Sequence, residues 1–111
     1  MNETDGTRER APESEIRELR NNEEAGRYEA ELADGDVAVL DYRARNGSIL
    51  FTHTGTPERH RHQGIAGELT RYALDDTIER GLKIAPQCPY TVWFIREHSE
   101  YEEHLADGFR V

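Results

Sequence analysis

One cysteine, Cys88, one lysine, Lys83, one tryptophan and one methionine are all that these four residue types contribute to 111 residues. A single cysteine excludes an internal disulfide, so a reducing, cytoplasmic setting is the simplest expectation. No apolar run approaches the length needed to cross a bilayer. The opening MNETDGTRERAPESE lacks the basic head and apolar stretch of a signal peptide. Neither a membrane nor a secretory role is therefore expected. Positive charge is also scarce. Fourteen basic residues against 23 acidic ones leave a net charge of -9, which opposes non-specific nucleic-acid binding. Such a surface either keeps the chain solvated or draws a cationic amine inward, and composition leaves both readings open.

The length suits one domain, large enough to hold a core without disulfides or a structural metal. Residues 1–20 are polar and charged, with Ile16 and Leu19 their larger apolar members. They are expected to form a disordered or loosely helical acidic extension to a domain spanning 21–111. Arg27 to Leu32 alternates like a strand. Val37 to Arg43 reads as a second strand, and its nearly continuous apolar start implies burial on both faces. Asn46-Gly47, two residues tolerant of positive φ, joins it to a returning strand from Ser48 to Thr54.

The period then changes. Ile65, Leu69, Tyr72 and Ala73 recur at helical spacing, giving a helix from Gly64 to about Arg80 that Gly81 ends. Leu82 to Ala85 forms a short strand. Cys88-Pro89 opens a second helix, because proline suits a first helical position whose N–H has no partner. Tyr90, Trp93 and Phe94 share a face of that helix and are expected in the core, while Tyr101, Leu105 and Phe109 anchor an acidic tail. A meander followed by helix, strand and helix predicts an α+β (α/β-like) domain with a mixed, mostly antiparallel sheet and flanking helices.

The stretch His60-Arg61-His62-Gln63-Gly64-Ile65-Ala66-Gly67 lies between a strand and a helix. A loop entering a helix exposes unpartnered backbone N–H groups at the positive end of the helix dipole, which suits phosphate oxygens. Gly64, Ala66 and Gly67 are small enough for close approach. Arg59, Arg61 and one of His60 and His62 add positive charge. An ordinary helix start fits the same residues, so the loop alone does not decide between the two.

Further residues sharpen the choice. Arg61-His62-Gln63-Gly64-Ile65-Ala66 resembles the acyl-CoA signature of the GNAT (Gcn5-related N-acetyltransferase) superfamily: Gln or Arg, any two, Gly, any, Gly or Ala. Arg27-Tyr28-Glu29, Phe51-Thr52-His53-Thr54, Pro86-Gln87-Cys88-Pro89-Tyr90 and His98-Ser99-Glu100-Tyr101 fall around it in the order seen in the short, single-domain branch of that superfamily. The resemblance spans roughly residues 21–104. That branch often has a glutamate and a valine after the His-Thr pair, where this chain has Gly55 and Thr56.

The resemblance implies a minimal GNAT fold that takes acetyl-CoA between two splayed strands, one ending at Thr54 and the other near Gln87. Thr54 and Thr56 would meet the pantetheine arm, and Arg61, His62, Gln63, Gly64, Ile65, Ala66 and Gly67 the diphosphate. An amine, on a protein, a peptide or a small molecule, would receive the acetyl group. Cys88 and His53 are the catalytic candidates: Cys88 as acid, transient acetyl acceptor or thiol partner of coenzyme A, His53 as base. Space-filling and a strand-end hydrogen bond are their structural alternatives. A non-catalytic acyl-CoA-binding or sensing module is the competing function. His53, His60, His62, His98 and His104 lack metal-ligand spacing, so no metal is expected.

Overall fold

The computed structural model describes residues 10–111. Five strands form one sheet in chain order: β1 (Ile16–Asn22), β2 (Arg27–Leu32), β3 (Val37–Arg45), β4 (Ser48–Gly55) and β5 (Lys83–Pro86). The first four pair antiparallel, and β5 pairs parallel to β4. Helix α1 (Ile65–Glu79) makes the crossover between β4 and β5, and helix α2 (Pro89–Glu97) follows β5 directly. This is the mixed, mostly antiparallel sheet with flanking helices that the sequence predicts.

Alternation along the strands places Tyr28, Ala30, Leu32, Ala38, Leu40, Ile49, Phe51 and Ile84 in a core with Ile65, Leu69, Ala73 and Leu74 of α1. Complete burial of each large side chain contributes about 1.5–3 kcal/mol. Polar contacts fix how α1 sits on the sheet. Tyr28 donates its hydroxyl to Asp76 Oδ2 at 2.6 Å, and Tyr101 donates to Asp75 Oδ1 at 2.7 Å. The Arg71 guanidinium lies 5.5 Å from the Phe94 ring centre and 5.8 Å from that of Tyr101, joining α1 to α2 and the C-terminal segment.

Several expectations need correction. Residues 1–9 lie outside the described residues, but the rest of the expected extension carries order. Pro12–Ser14 is a turn of 3-10 helix and Ile16–Asn22 is β1, whose ladder runs from Ile16↔Leu32 to Asn22↔Arg27. Its charges hid the strand. Arg20 and Arg27 both bond the almost wholly buried Glu29 at 2.7 Å, and Asn22 bonds it at 3.0 Å, so β1 pairs through a polar network. Strand β3 is not buried on both faces: Ala38 and Leu40 are buried while Val37 and Val39 are half-exposed. In the hairpin turn Gly47 takes a positive φ of 83° and Asn46 does not. Trp93 is 46% exposed, because α2 turns Phe94 and Ile95 inward instead.

Candidate functional site

The site begins where β4 and β5 part. Their pairing ends at Phe51↔Pro86, and the Phe51 carbonyl accepts the N–H groups of both Gln87 and Cys88 at 2.9 Å. Strand β4 continues to Gly55, paired with β3 on its other side through His53↔Asp41, Thr54↔Leu40 and Gly55↔Val39. A register shift opposite Asp41 and Tyr42 bulges β4 at Thr52 and bends it away from β5. The segment Thr52 to Gly55 thus presents a backbone edge that β5 does not cover.

Cys88 stands at the apex of this opening. It is the N-cap of α2, with Pro89 in the first turn as the sequence predicts. Its side chain is buried, and Sγ lies 3.2 Å from Thr54 Oγ1 on the facing strand. Burial raises the thiol pKa, but the Thr54 hydroxyl, the Thr91 N–H and the Tyr90 N–H favour the thiolate, and the balance is a lowered pKa. Thr91 Oγ1 also faces the sulfur; it is buried and makes no hydrogen bond of normal geometry. Tyr90 reaches from α2 to α1, where a methyl group at Gly67 would lie 3.4 Å from its Oη. Burial first, then the Cys88 sulfur, raises the Tyr90 pKa, keeping its hydroxyl protonated.

The first turn of α1 is the second part. Gly64 caps it in a left-handed conformation, φ 80° and ψ 9°, which suits glycine. Among the described residues no side chain caps this turn, so its leading N–H groups are available to solvent or a ligand. His62 also has a positive φ, 66°, so the loop turns sharply twice before α1. Ile65 is buried in the core and anchors the turn from below. Arg61 donates Nε–H to the Thr56 carbonyl at 3.3 Å and tethers the loop to the end of β4.

The remaining charged candidates have other partners. His60 is fully buried: Nδ1 lies 2.7 Å from Ser14 Oγ, and Nε2 lies 2.9 Å from Asp34 Oδ2 and 3.2 Å from Asp36 Oδ2. The Arg59 guanidinium sits 3.0 Å from both carboxylates. The backbone N–H of Asp36, then the nearby cations, holds the Asp34 pKa below its ordinary value. Asp34, Asp36 and His60 have donor atoms within 4.8 Å of one another, which is compatible with a metal, but the Arg59 guanidinium already pairs with both carboxylates. His60 and Arg59 thus tie the loop to the β2–β3 turn and do not point at a phosphate.

His53 precedes Thr54 on β4, so strand alternation puts it on the opposite face. It is exposed, with Nδ1 3.7 Å from Asp41 Oδ2, and the structure does not bring it to Cys88. At Gly55 an added Cβ would lie 3.3 Å from His53 Cε1 and 3.4 Å from Val39 Cγ2. Sequence reasoning missed Arg10, which donates Nε–H to the Gln63 carbonyl at 2.9 Å and pairs with Glu68. No local pattern marks it, since its partners lie more than fifty residues away.

A bulged strand parts from its parallel neighbour beside a helix start that follows a glycine, within a mixed sheet flanked by helices. A family model for GCN5-related N-acetyl-transferase matches residues 27–105, and the chain belongs to that family. Protein NATD1 of Gallus gallus is 37% identical over 73 residues, which cover 63% of this chain and 66% of that protein. Protein NATD1 of Homo sapiens is 36% identical over the same length, covering 63% and 65%. The match thus spans just under two thirds of these relatives' own length. A Staphylococcus aureus solution structure, described as a candidate GCN5-like N-acetyltransferase, superposes with a TM-score of 0.63 at 21% identity. It covers 84% of this chain and 90% of that one, and it shows the shared fold.

Proposed function

We propose that this protein is an acetyl-CoA-dependent N-acetyltransferase that passes the acetyl group to an amine. The observation that carries the reading is the uncovered edge of β4 from Thr52 to Gly55, lying between Cys88 and the uncapped start of α1. The pantetheine arm would pair with that edge around Thr54 and Thr56, as a missing strand would. The diphosphate would lie on the turn from Arg61 to Gly67, with Gly64 and the small Ala66 allowing close approach. The co-substrate supplies an activated thioester.

Transfer requires the neutral amine nitrogen to bond to the acetyl carbon, the C–S bond to break, and two protons to move. In this reading Cys88 and Tyr90 would flank the leaving thiolate. The Tyr90 hydroxyl stays protonated and suits the donor's part, while the lowered Cys88 pKa suits a thiol that titrates during turnover. An N–H directed at the carbonyl oxygen would stabilise its developing charge. The amine's proton would leave to solvent or to His53, which is exposed and flanked by Asp41. The acceptor is a protein lysine, a protein N-terminus or a small amine. One unpaired thiol and the absence, among the described residues, of any helix able to cross a membrane fit work in the cytoplasm.

A second reading, a non-catalytic acyl-CoA-binding or sensing module, has its own support: Gly55 provides no acid, and His53 is turned away from Cys88. Calorimetric titration of acetyl-CoA into wild type and Gly64→Trp tests the site; binding that the variant loses supports both readings, and no binding by wild type sinks both. Turnover of acetyl-CoA against a panel of amines then separates them. Acetylated product that Cys88→Ala diminishes favours the transferase, and binding without product favours the sensor.

A further inference from the structure

We propose that Arg10 is a positioning residue for the phosphate-bearing end of the cofactor, acting by balancing the charge of Glu68 at the start of α1. The inference rests on the acyl-CoA reading above. Glu68 follows the three leading N–H groups of α1 and is half-exposed, with 47% of its side chain accessible. An unbalanced carboxylate there favours the helix dipole but opposes a diphosphate on the same turn. Arg10 removes that conflict. Its side chain is 16% exposed, its guanidinium pairs with Glu68, and the same group bonds the carbonyls of Gln63 at 2.9 Å and Gly64 at 3.5 Å. The contact holds the cation against the turn instead of letting it wander in solvent.

The segment that carries Arg10 is fastened at three more points. The Ala11 N–H donates to Gln63 Oε1 at 3.0 Å, Ser14 Oγ meets the buried His60 ring, and the Glu15 carbonyl accepts the Ala33 N–H at 2.8 Å. Gln63 is therefore gripped through both its backbone and its side chain. Arg10 to Ser14, which supply one side of this clasp, precede residues 27–105, which match the family model and supply the other. Arg59 is engaged by Asp34 and Asp36, which leaves Arg10 and Arg61, among the described arginines, on either side of the Gln63–Gly64 turn.

The test is titration of coenzyme A, and separately of acetyl-pantetheine, which lacks the diphosphate, into wild type, Arg10→Ala, Glu68→Gln and the double variant. Charge balance predicts opposite signs. Arg10→Ala weakens coenzyme A about threefold to tenfold, the size of one partly exposed charge near a ligand. Glu68→Gln leaves it unchanged or tightens it, and the double variant recovers most of the loss. Acetyl-pantetheine is bound alike by all four proteins, and the coenzyme A differences narrow as salt is raised. A clasp that only holds the fold together predicts that Arg10→Ala and Glu68→Gln weaken coenzyme A equally, and that result overturns the inference. So does an Arg10→Ala variant that binds like wild type. If wild type itself binds no coenzyme A, the acyl-CoA reading falls first and takes this inference with it.

Discussion

Replacing Gly64 with alanine and replacing Gly67 with alanine should move stability in opposite directions, although the two glycines stand one turn apart. Gly64 has φ 80° and ψ 9°, and an added Cβ would find only Arg10 Nη2, at 4.0 Å. Space is thus available and the backbone conformation is the obstacle. An L-residue in the left-handed region costs about 1–2 kcal/mol. Alanine returns about 0.4–1 kcal/mol by restricting the unfolded chain. The net expected for Gly64→Ala is a loss of roughly 0.5–1 kcal/mol. Gly64→Asn should lose less, because asparagine enters that region more readily. Gly67 lies inside α1, and its added Cβ would make an ordinary 3.4 Å contact with Tyr90 Oη. Gly67→Ala should therefore gain about 0.5–1 kcal/mol from helix propensity.

Urea unfolding of the three variants beside wild type measures these differences, and thermal melts should separate the two alanine variants by several degrees, at about 4 °C per kcal/mol. Cofactor affinity adds a second axis. The Gly67 position faces Tyr90, so Gly67→Ala should retain acetyl-CoA. Gly64→Ala should weaken it roughly tenfold or more, since one misdirected N–H to a charged oxygen is worth about 1.5–3 kcal/mol. If both alanine variants shift stability in the same direction, the assignment of a strained turn at Gly64 and a regular helix at Gly67 is wrong.

The other predictions concern buried polar groups. Glu29 loses solvation on burial, but Arg27, Asn22 and Arg20 more than compensate and hold its pKa below 4.5. A carboxylate depressed on folding stabilises fully above its unfolded pKa and loses that contribution as pH falls through its folded one. Acid unfolding of wild type should therefore steepen below about pH 4.5, and Glu29→Gln should flatten that limb while costing about 1–2 kcal/mol at neutral pH, a figure limited by the half-exposed arginines. Thr54→Val removes the hydroxyl facing Cys88, so the pH midpoint for alkylation of Cys88 should rise; an unchanged midpoint would leave Thr54 without a part in activating the thiol. Tyr28→Phe removes the bond to Asp76 and should cost about 1–2 kcal/mol in chemical denaturation with little change in sheet content by circular dichroism.

Where the physics is local, the chain could be read directly. Alternation along Arg27 to Leu32 and helical spacing from Ile65 reproduce β2 and α1 nearly to the residue, because one buried face imposes its period on the sequence. Pro89 after Cys88 likewise marks the start of α2. The misses share the opposite character. Strand β1 is held by Arg20, Asn22 and Arg27 around Glu29, partners that meet only after β2 folds back. His60 looks like a surface cation beside Arg59 and Arg61, yet the sheet brings Asp34, Asp36 and Ser14 around it. Tyr90, Trp93 and Phe94 share a helical face, but α2 is short and lies at the sheet's edge, so its inward side is narrower than the spacing suggests.

The net charge of -9 and a site for a polyanion are compatible because of distance. At physiological ionic strength a charge is largely screened beyond about 8 Å, so the acidic surface acts mainly on encounter and little on the bound state. Only groups close to the Gln63–Gly64 turn set the local field. There Arg10 offsets Glu68, Arg61 is tethered at the end of β4, and the N-terminal dipole of α1 adds to both. The same separation works in favour of the second substrate. Under the transferase reading, a protonated amine would be drawn by the general acidic field and would then meet Thr54, Cys88 and Tyr90, where burial would make losing its proton less costly than in water. On this account the chain repels its cofactor weakly from afar, holds it by a few fixed groups, and recruits its acceptor by charge. Raising salt should then improve coenzyme A association and impair capture of a cationic acceptor, two rates that stopped-flow mixing can measure separately.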